Sequence, residues 1–229
     1  KASSISVSTS RITEVLEIKQ LSFRYQYKVI LSKLSFTVNP GDILHITGPN
    51  GSGKTTLMSI LAGLRKESAG QITFRLSDGM ITDDRRTHVE YLPAEANALF
   101  GKMDAMSNLR FWRKLRGLDA SDPYLRPVLA RWDLDHPLIR ENFPVESFST
   151  GMKRRLALAR LELSETPCWL LDEPLYGLDT KGIETFQNML EKHHSLNGIT
   201  VIVSHDIAPL EKFPVRRLDL TPTAGVKGA

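Results

Sequence analysis

The sequence predicts an α/β chain with a parallel-stranded core. Three observations carry that expectation. Short apolar or β-branched runs alternate with helical patterns along much of the chain. One such run leads straight into a glycine-rich loop that opens a helix. Two later runs stop abruptly at polar residues, one at an acidic pair and one at a histidine.

In chain order, the serine-rich start, Lys1 to Ser10, reads as a flexible leader reaching to about residue 12. The chain begins with lysine, so an upstream part, a transit peptide among the alternatives, is expected to have been removed. Val15 to Phe23 and Leu31 to Val38 have strand character, and Asn39-Pro40-Gly41-Asp42 is a turn. Ile43 to Thr47 is a short strand entering the glycine loop, and Thr55 to Leu64 a helix ended by Gly63 and the segment Lys66 to Gly70. Gln71 to Leu76 and His88 to Leu92 are further strands.

The middle is helical in pattern. Asn108 to Leu115, Pro123 to Trp132 and Lys153 to Leu163 carry apolar residues at helical spacing, with Pro137, Pro144 and Gly151 as breaks. Residues 95–160 are therefore expected to form an inserted helical subdomain. Cys168 to Leu171 is a buried strand, Gly182 to His193 a helix, and Ile199 to Ser204 a β-branched strand ending at His205.

The chemistry is concentrated at strand ends. Gly48-Pro49-Asn50-Gly51-Ser52-Gly53-Lys54-Thr55 matches the phosphate-loop pattern in full, between a strand and a helix. Glycines let backbone N–H groups turn toward phosphates, and the helix that follows presents unpaired N–H groups and its positive end. Lys54 is expected to reach the outer phosphates and the Thr55 hydroxyl to face Mg²⁺, with Thr56 beside it. Asp172, directly after Trp169-Leu170-Leu171, is the carboxylate expected to hold Mg²⁺. Glu173 follows, placed to act on the attacking water as general base or as electrostatic positioner. His205 is expected to sense the terminal phosphate, because strand ends gather at the ligand crevice in such folds. His193 and His194 read as solvated residues of a polar helix end.

Composition narrows the classes. A hydrophobic fraction of 41% and a charged fraction of 24% over 229 residues fit a folded globular chain. The net charge of +4 admits an anionic partner, but no zinc-finger spacing or basic-aromatic run points to nucleic acid. The single cysteine, Cys168, excludes an intrachain disulfide and reads as a buried, inert thiol. No stretch approaches the ~20 apolar residues of a membrane span, so any span must come from another chain.

With these residues in view, the chain resembles the ATP-binding subunits of ABC transporters from about Val15 to Asp206. Phe148-Ser149-Thr150-Gly151-Met152-Lys153-Arg154-Arg155-Leu156 is similar to the family signature, with Ser149 and Gly151 at its serine and second glycine. Trp169-Leu170-Leu171-Asp172-Glu173-Pro174 resembles the second nucleotide motif. Tyr176-Gly177-Leu178-Asp179 resembles the loop that crosses to the sister subunit, and His205 the switch histidine. Tyr25 stands where family members stack an aromatic ring on adenine. The resemblance implies a P-loop NTPase core of ABC ATPase type, with an N-terminal antiparallel β part and the helical insertion, all one nucleotide-binding domain. It implies ATP and Mg²⁺, a head-to-tail dimer in which Ser149, Gly151 and Asp179 complete the partner's site, and transmembrane subunits that the helical part docks to. It implies a peripheral place on the cytoplasmic face of a plasma, inner or organellar membrane, and no nucleic-acid partner.

Two departures stand out. Ala94 holds the place of the family's glutamine that contacts Mg²⁺ and water, with Glu95 adjacent, and Met152 replaces a common signature glutamine. Within the family, the segment Gly41 to Gly51 and Ala159-Arg160-Leu161 are similar to the haem exporter of cytochrome c maturation. Tyr91-Leu92-Pro93 and Ser149-Thr150-Gly151-Met152 fit drug, lipid or polysaccharide exporters equally. A soluble ABC-type ATPase of translation or DNA repair is a further alternative, though the chain has room for one cassette and no sustained heptads. A non-hydrolysing module is the other, and Lys54, Asp172, Glu173 and His205 all speak against it.

Overall fold

The computed structural model describes residues 14–94 and 98–221. The expected leader and Glu95 lie outside the described residues. An antiparallel sheet comes first. Its strands are β1 (Val15–Tyr25), β2 (Lys28–Val38), β4 (Ala69–Arg75) and β5 (Ile81–Thr82), in the order β2-β1-β4-β5. Between β2 and β4 the chain forms β3 (Ile43–Thr47) and α1 (Lys54–Leu61), and α2 (Arg85–His88) and β6 (Val89–Leu92) follow. Helices α3 (Ala105–Leu115), α4 (Asp122–Arg131), α5 (Pro137–Glu141) and α6 (Thr150–Glu162) then run consecutively. The last elements are β7 (Cys168–Asp172), α7 (Thr180–Ser195), β8 (Ile199–Val203) and β9 (Val215–Asp219).

The second sheet has the order β6-β7-β8-β3-β9, and every pairing in it is parallel. Its central strands are covered on both faces, which is why they read as unbroken apolar runs. Cys168 and Leu170 pack toward α1 and the antiparallel sheet, with Leu44, Ile46, Val201 and Val203. Trp169 and Leu171 pack toward α6 and α7, with Ile43 and Ile202. Cys168 is fully buried, and burial pushes its thiol above the ordinary range.

Several local readings change. Pro137 begins α5 rather than breaking a helix, since proline at the first helical position loses no hydrogen bond. Gly151 lies in the first turn of α6, because Ser149 caps that helix ahead of it. His193 is not solvated. It is 5% exposed, stacked on Trp169 at 3.6 Å between ring centroids and bonded through Nε2 to the Ile199 carbonyl at 3.1 Å. Gly198 leaves the room for it, since a Cβ there would stand 2.2 Å from the ring. Burial pulls His193 down to about 4 from its ordinary 6.5.

Candidate functional site

The strand order places β7, β8 and β3 side by side, so their carboxyl ends open on one crevice. From β3 the chain enters the loop Gly48–Gly53. Gly48, Gly51 and Gly53 have φ of 140°, 79° and 99°, a region that favours glycine. Gly53 is also needed for space, since a Cβ would meet the Ile30 side chain of β2 at 2.9 Å. As the residue before α1, Gly53 offers no side chain to cap that helix, and the first-turn N–H groups of Lys54, Thr55 and Thr56 remain for an anion. Lys54 Nζ donates to the carbonyls of Gly48 at 2.7 Å and Pro49 at 3.0 Å, holding the loop curled over itself. Ser52 closes it from its N–H to the Pro49 carbonyl at 3.2 Å.

From β7 comes Asp172, 2% exposed. Burial raises its pKa, a hydrogen bond from the Thr55 hydroxyl lowers it, and Glu173 next door raises it again. Asp172 Oδ2 is buried without a partner. A buried carboxylate oxygen left open beside the Thr55 hydroxyl is a fitting pair of hard donors for Mg²⁺. Among the described residues no group of three or more carboxylate, imidazole or thiol side chains converges on one point. A metal here would thus take only a few protein ligands, which also suits an ion that keeps waters and phosphate oxygens.

Glu173 has φ of 50°, the left-handed region, and its N–H donates to the Val203 carbonyl of β8 at 2.8 Å. Its carboxylate faces His205 twice. The His205 backbone N–H donates to Oε2 at 3.3 Å, and the imidazole Nε2 lies 3.6 Å from Oε1. A cavity of about 280 Å³ joins these parts, lined by Gly48, Lys54, Glu173 and His205. Two lining residues were not singled out in the sequence: His45, bonded to the Ser204 carbonyl at 3.0 Å, and Arg217 of β9. A polar residue interrupting the apolar run Ile43 to Thr47 was the available signal for His45.

The remaining candidates gather elsewhere in the chain. Ser149 caps α6 by accepting from the Met152 N–H at 3.2 Å. Gly151 touches the next loop so closely that a Cβ would stand 2.8 Å from the Gly177 carbonyl. Asp179 caps α7 through the Gly182 N–H at 2.9 Å and takes both ends of its carboxylate to Arg155, at 2.8 and 2.7 Å. The Arg155 bond is the chief reason its pKa is lowered. Tyr25 ends β1 at the hairpin turn into β2 and is 60% exposed. Ala94 lines an adjoining cavity of about 600 Å³ with Glu173, Tyr176, Leu178 and His205.

The chain is similar to known proteins in sequence and in fold. A family model described as ABC transporter matches residues 31–176. The chain is 36% identical to the "Cytochrome c biogenesis ATP-binding export protein CcmA" of Tatumella citrea over 208 residues, covering 90% of this chain and 96% of that one. It is 34% identical to the protein of the same name from Vibrio cholerae, covering 90% and 98%. Among solved structures, the ATP-binding subunit of an ABC transporter superposes with a TM-score of 0.79 at 26% identity, over 90% of this chain and 85% of that one. The dimeric bacterial ABC transporter cassette MJ0796 superposes with a TM-score of 0.75 at 22% identity, over 90% and 94%, a likeness of fold.

Proposed function

This chain belongs to the ABC transporter family and is an ATP-binding, ATP-hydrolysing subunit, and we propose that it powers export for the biogenesis of c-type cytochromes. The observation that carries the proposal is near-complete coverage, at 34–36% identity, of relatives named for that process. Cytochromes c hold haem covalently at a C-x-x-C-H motif, so haem is the cargo that fits such an export step. Tyr91-Leu92-Pro93 and the Ser149 to Met152 pattern support as second reading an exporter of drugs, lipids or polysaccharides.

In this reading the loop N–H groups and Lys54 bind the β- and γ-phosphates of ATP, and Tyr25 stacks on the base. Thr55 and Asp172 would hold Mg²⁺, whose charge offsets that of the phosphates when bound. Glu173 accepts a hydrogen bond from the attacking water and takes or orients its proton. His205, held against Glu173 at 3.6 Å, is set to bond the γ-phosphate and to register its loss. Ser149 and Gly151 present the N-terminal end of α6 to the ATP of a second copy, bound head to tail, with Asp179 at the seam. No helix among the described residues is long and apolar enough to cross a membrane, which fits a chain bound to transmembrane subunits at the cytoplasmic face.

A strain lacking the chain tests the reading. It should lose covalent haem staining of its c-type cytochromes, and Glu173→Gln should fail to restore it. Normal haem attachment without the chain would redirect the proposal to the second reading.

A further inference from the structure

Two arginines of α6 grip the outgoing end of β6. Arg160 donates to the Tyr91 carbonyl at 3.0 Å and pairs with Glu90 at 2.8 Å. Arg154 donates to the carbonyls of Pro93, at 3.2 Å, and Ala94. Both are buried, at 4% and 2% exposure. They differ in charge balance. Glu90 pairs with Arg160 in direct contact, and with Arg116 as well. Arg154 makes no such ion pair among the described residues, and the negative charges acting on it are those of Asp172 and Glu173.

Arg154 therefore relates three parts of the chain. Its own helix begins at Ser149, the end expected to meet a partner's ATP. Its guanidinium holds the turn at Pro93 and Ala94, and Ala94 lines the same cavity as Glu173 and His205. Its charge acts on the acid pair, and Asp172 feels both Arg154 and Lys54. A guanidinium suits such a post, since its fixed fork can hold two carbonyls while its charge remains.

We propose that Arg154 is a positioning residue for ATP hydrolysis, fixing the Pro93–Ala94 turn to α6 and both against the acid pair. A shift of α6 when its N-terminal end engages ATP is then carried to Asp172 and Glu173 through one side chain. Ala94 has no polar side-chain atom to form that link, so it runs through the backbone carbonyls instead. The proposal rests on the hydrolytic reading of the site.

The test uses the complex drawn from its native membrane by a tag on this chain. The ATPase kcat, the KM for ATP and the thermal midpoint are measured for the parent, Arg154→Lys, Arg154→Met, Arg160→Met and Glu173→Gln. Arg154→Met should lower kcat at least about 10-fold with KM within about 2-fold, the pattern of an interaction made in the transition state. Arg154→Lys, which keeps the charge without the fork, should fall between it and the parent. Arg160→Met should lower the thermal midpoint without that split. An Arg154→Met enzyme that turns over like the parent, or an Arg160→Met enzyme with the same split, overturns the assignment, the latter because loosened packing of α6 would explain both. If Glu173→Gln also hydrolyses like the parent, the hydrolytic reading falls and this one with it.

Discussion

Acid should weaken this fold in large part through His193. The folded chain holds it at about 4 where the unfolded chain has about 6.5, because burial against Trp169 penalises the imidazolium. The sign follows from proton counting. Below pH 6.5 the unfolded chain takes up a proton that the folded chain refuses, so stability is full above 6.5 and falls as pH drops toward 4. At about 1.36 kcal/mol per pH unit the loss reaches ~3 kcal/mol, of which about 2 kcal/mol is spent by pH 5. Urea unfolding at pH 7.5 and pH 5.0 measures it, since slopes of ~1–3 kcal/mol/M turn that loss into a midpoint shift of ~0.7–2 M. His45, whose pKa burial also lowers, acts in the same direction, so the comparison is with His193→Gln. Glutamine keeps an N–H donor for the Ile199 carbonyl and cannot titrate. It should be less stable at pH 7.5, by about 1 kcal/mol or more, and lose about 2 kcal/mol less than the parent between the two pH values. Equal losses in parent and variant would refute the reasoning.

Lys54→Ala removes the donor to Gly48 and Pro49 and the charge proposed to face the phosphates. ATP affinity should fall by about 10-fold or more, the loss of hydrogen bonds to a charged group, and turnover should vanish in a phosphate-release assay. Glu173→Gln should bind ATP and then stall, so that light scattering finds a dimer with ATP and a monomer without it. Ala94→Gln has a cavity of about 600 Å³ to enter and keeps the backbone carbonyl that Arg154 holds, so it should fold normally. Its amide should lower the Mg²⁺ concentration needed for half-maximal hydrolysis by a few-fold, read from a titration of rate against Mg²⁺.

Much of the site was legible because it rests on local chemistry. A strand, a glycine loop and a helix are contiguous, so the pattern from Gly48 to Thr55 is complete in one stretch. Asp172 and His205 stood out for a similar reason, each ending a run that can only be a buried strand. Strand β9 was missed because Arg216 and Arg217 break its apolar character. Among the described residues it is an edge strand, paired with β3, and such a strand can carry charge. His193 was misread because its neighbours Lys192 and His194 are polar, while the Trp169 that buries it lies on β7, the preceding element. Arg154 was read as part of a motif, yet its partners at Pro93 and Ala94 are about sixty residues away. Contacts of that kind leave no trace in local pattern.

The left-handed backbone at Glu173 has a consequence for anyone improving this protein by selection. A residue with a Cβ at φ of 50° costs about 1–2 kcal/mol relative to glycine. Glycine at 173 is therefore a sturdier choice for the fold and, under the role proposed for Glu173, one that should lose turnover. A screen that scores heat resistance or expression yield alone would tend to enrich that substitution and discard the carboxylate. Libraries built on this scaffold should hold position 173 constant, or sort on ATP consumption before they sort on survival.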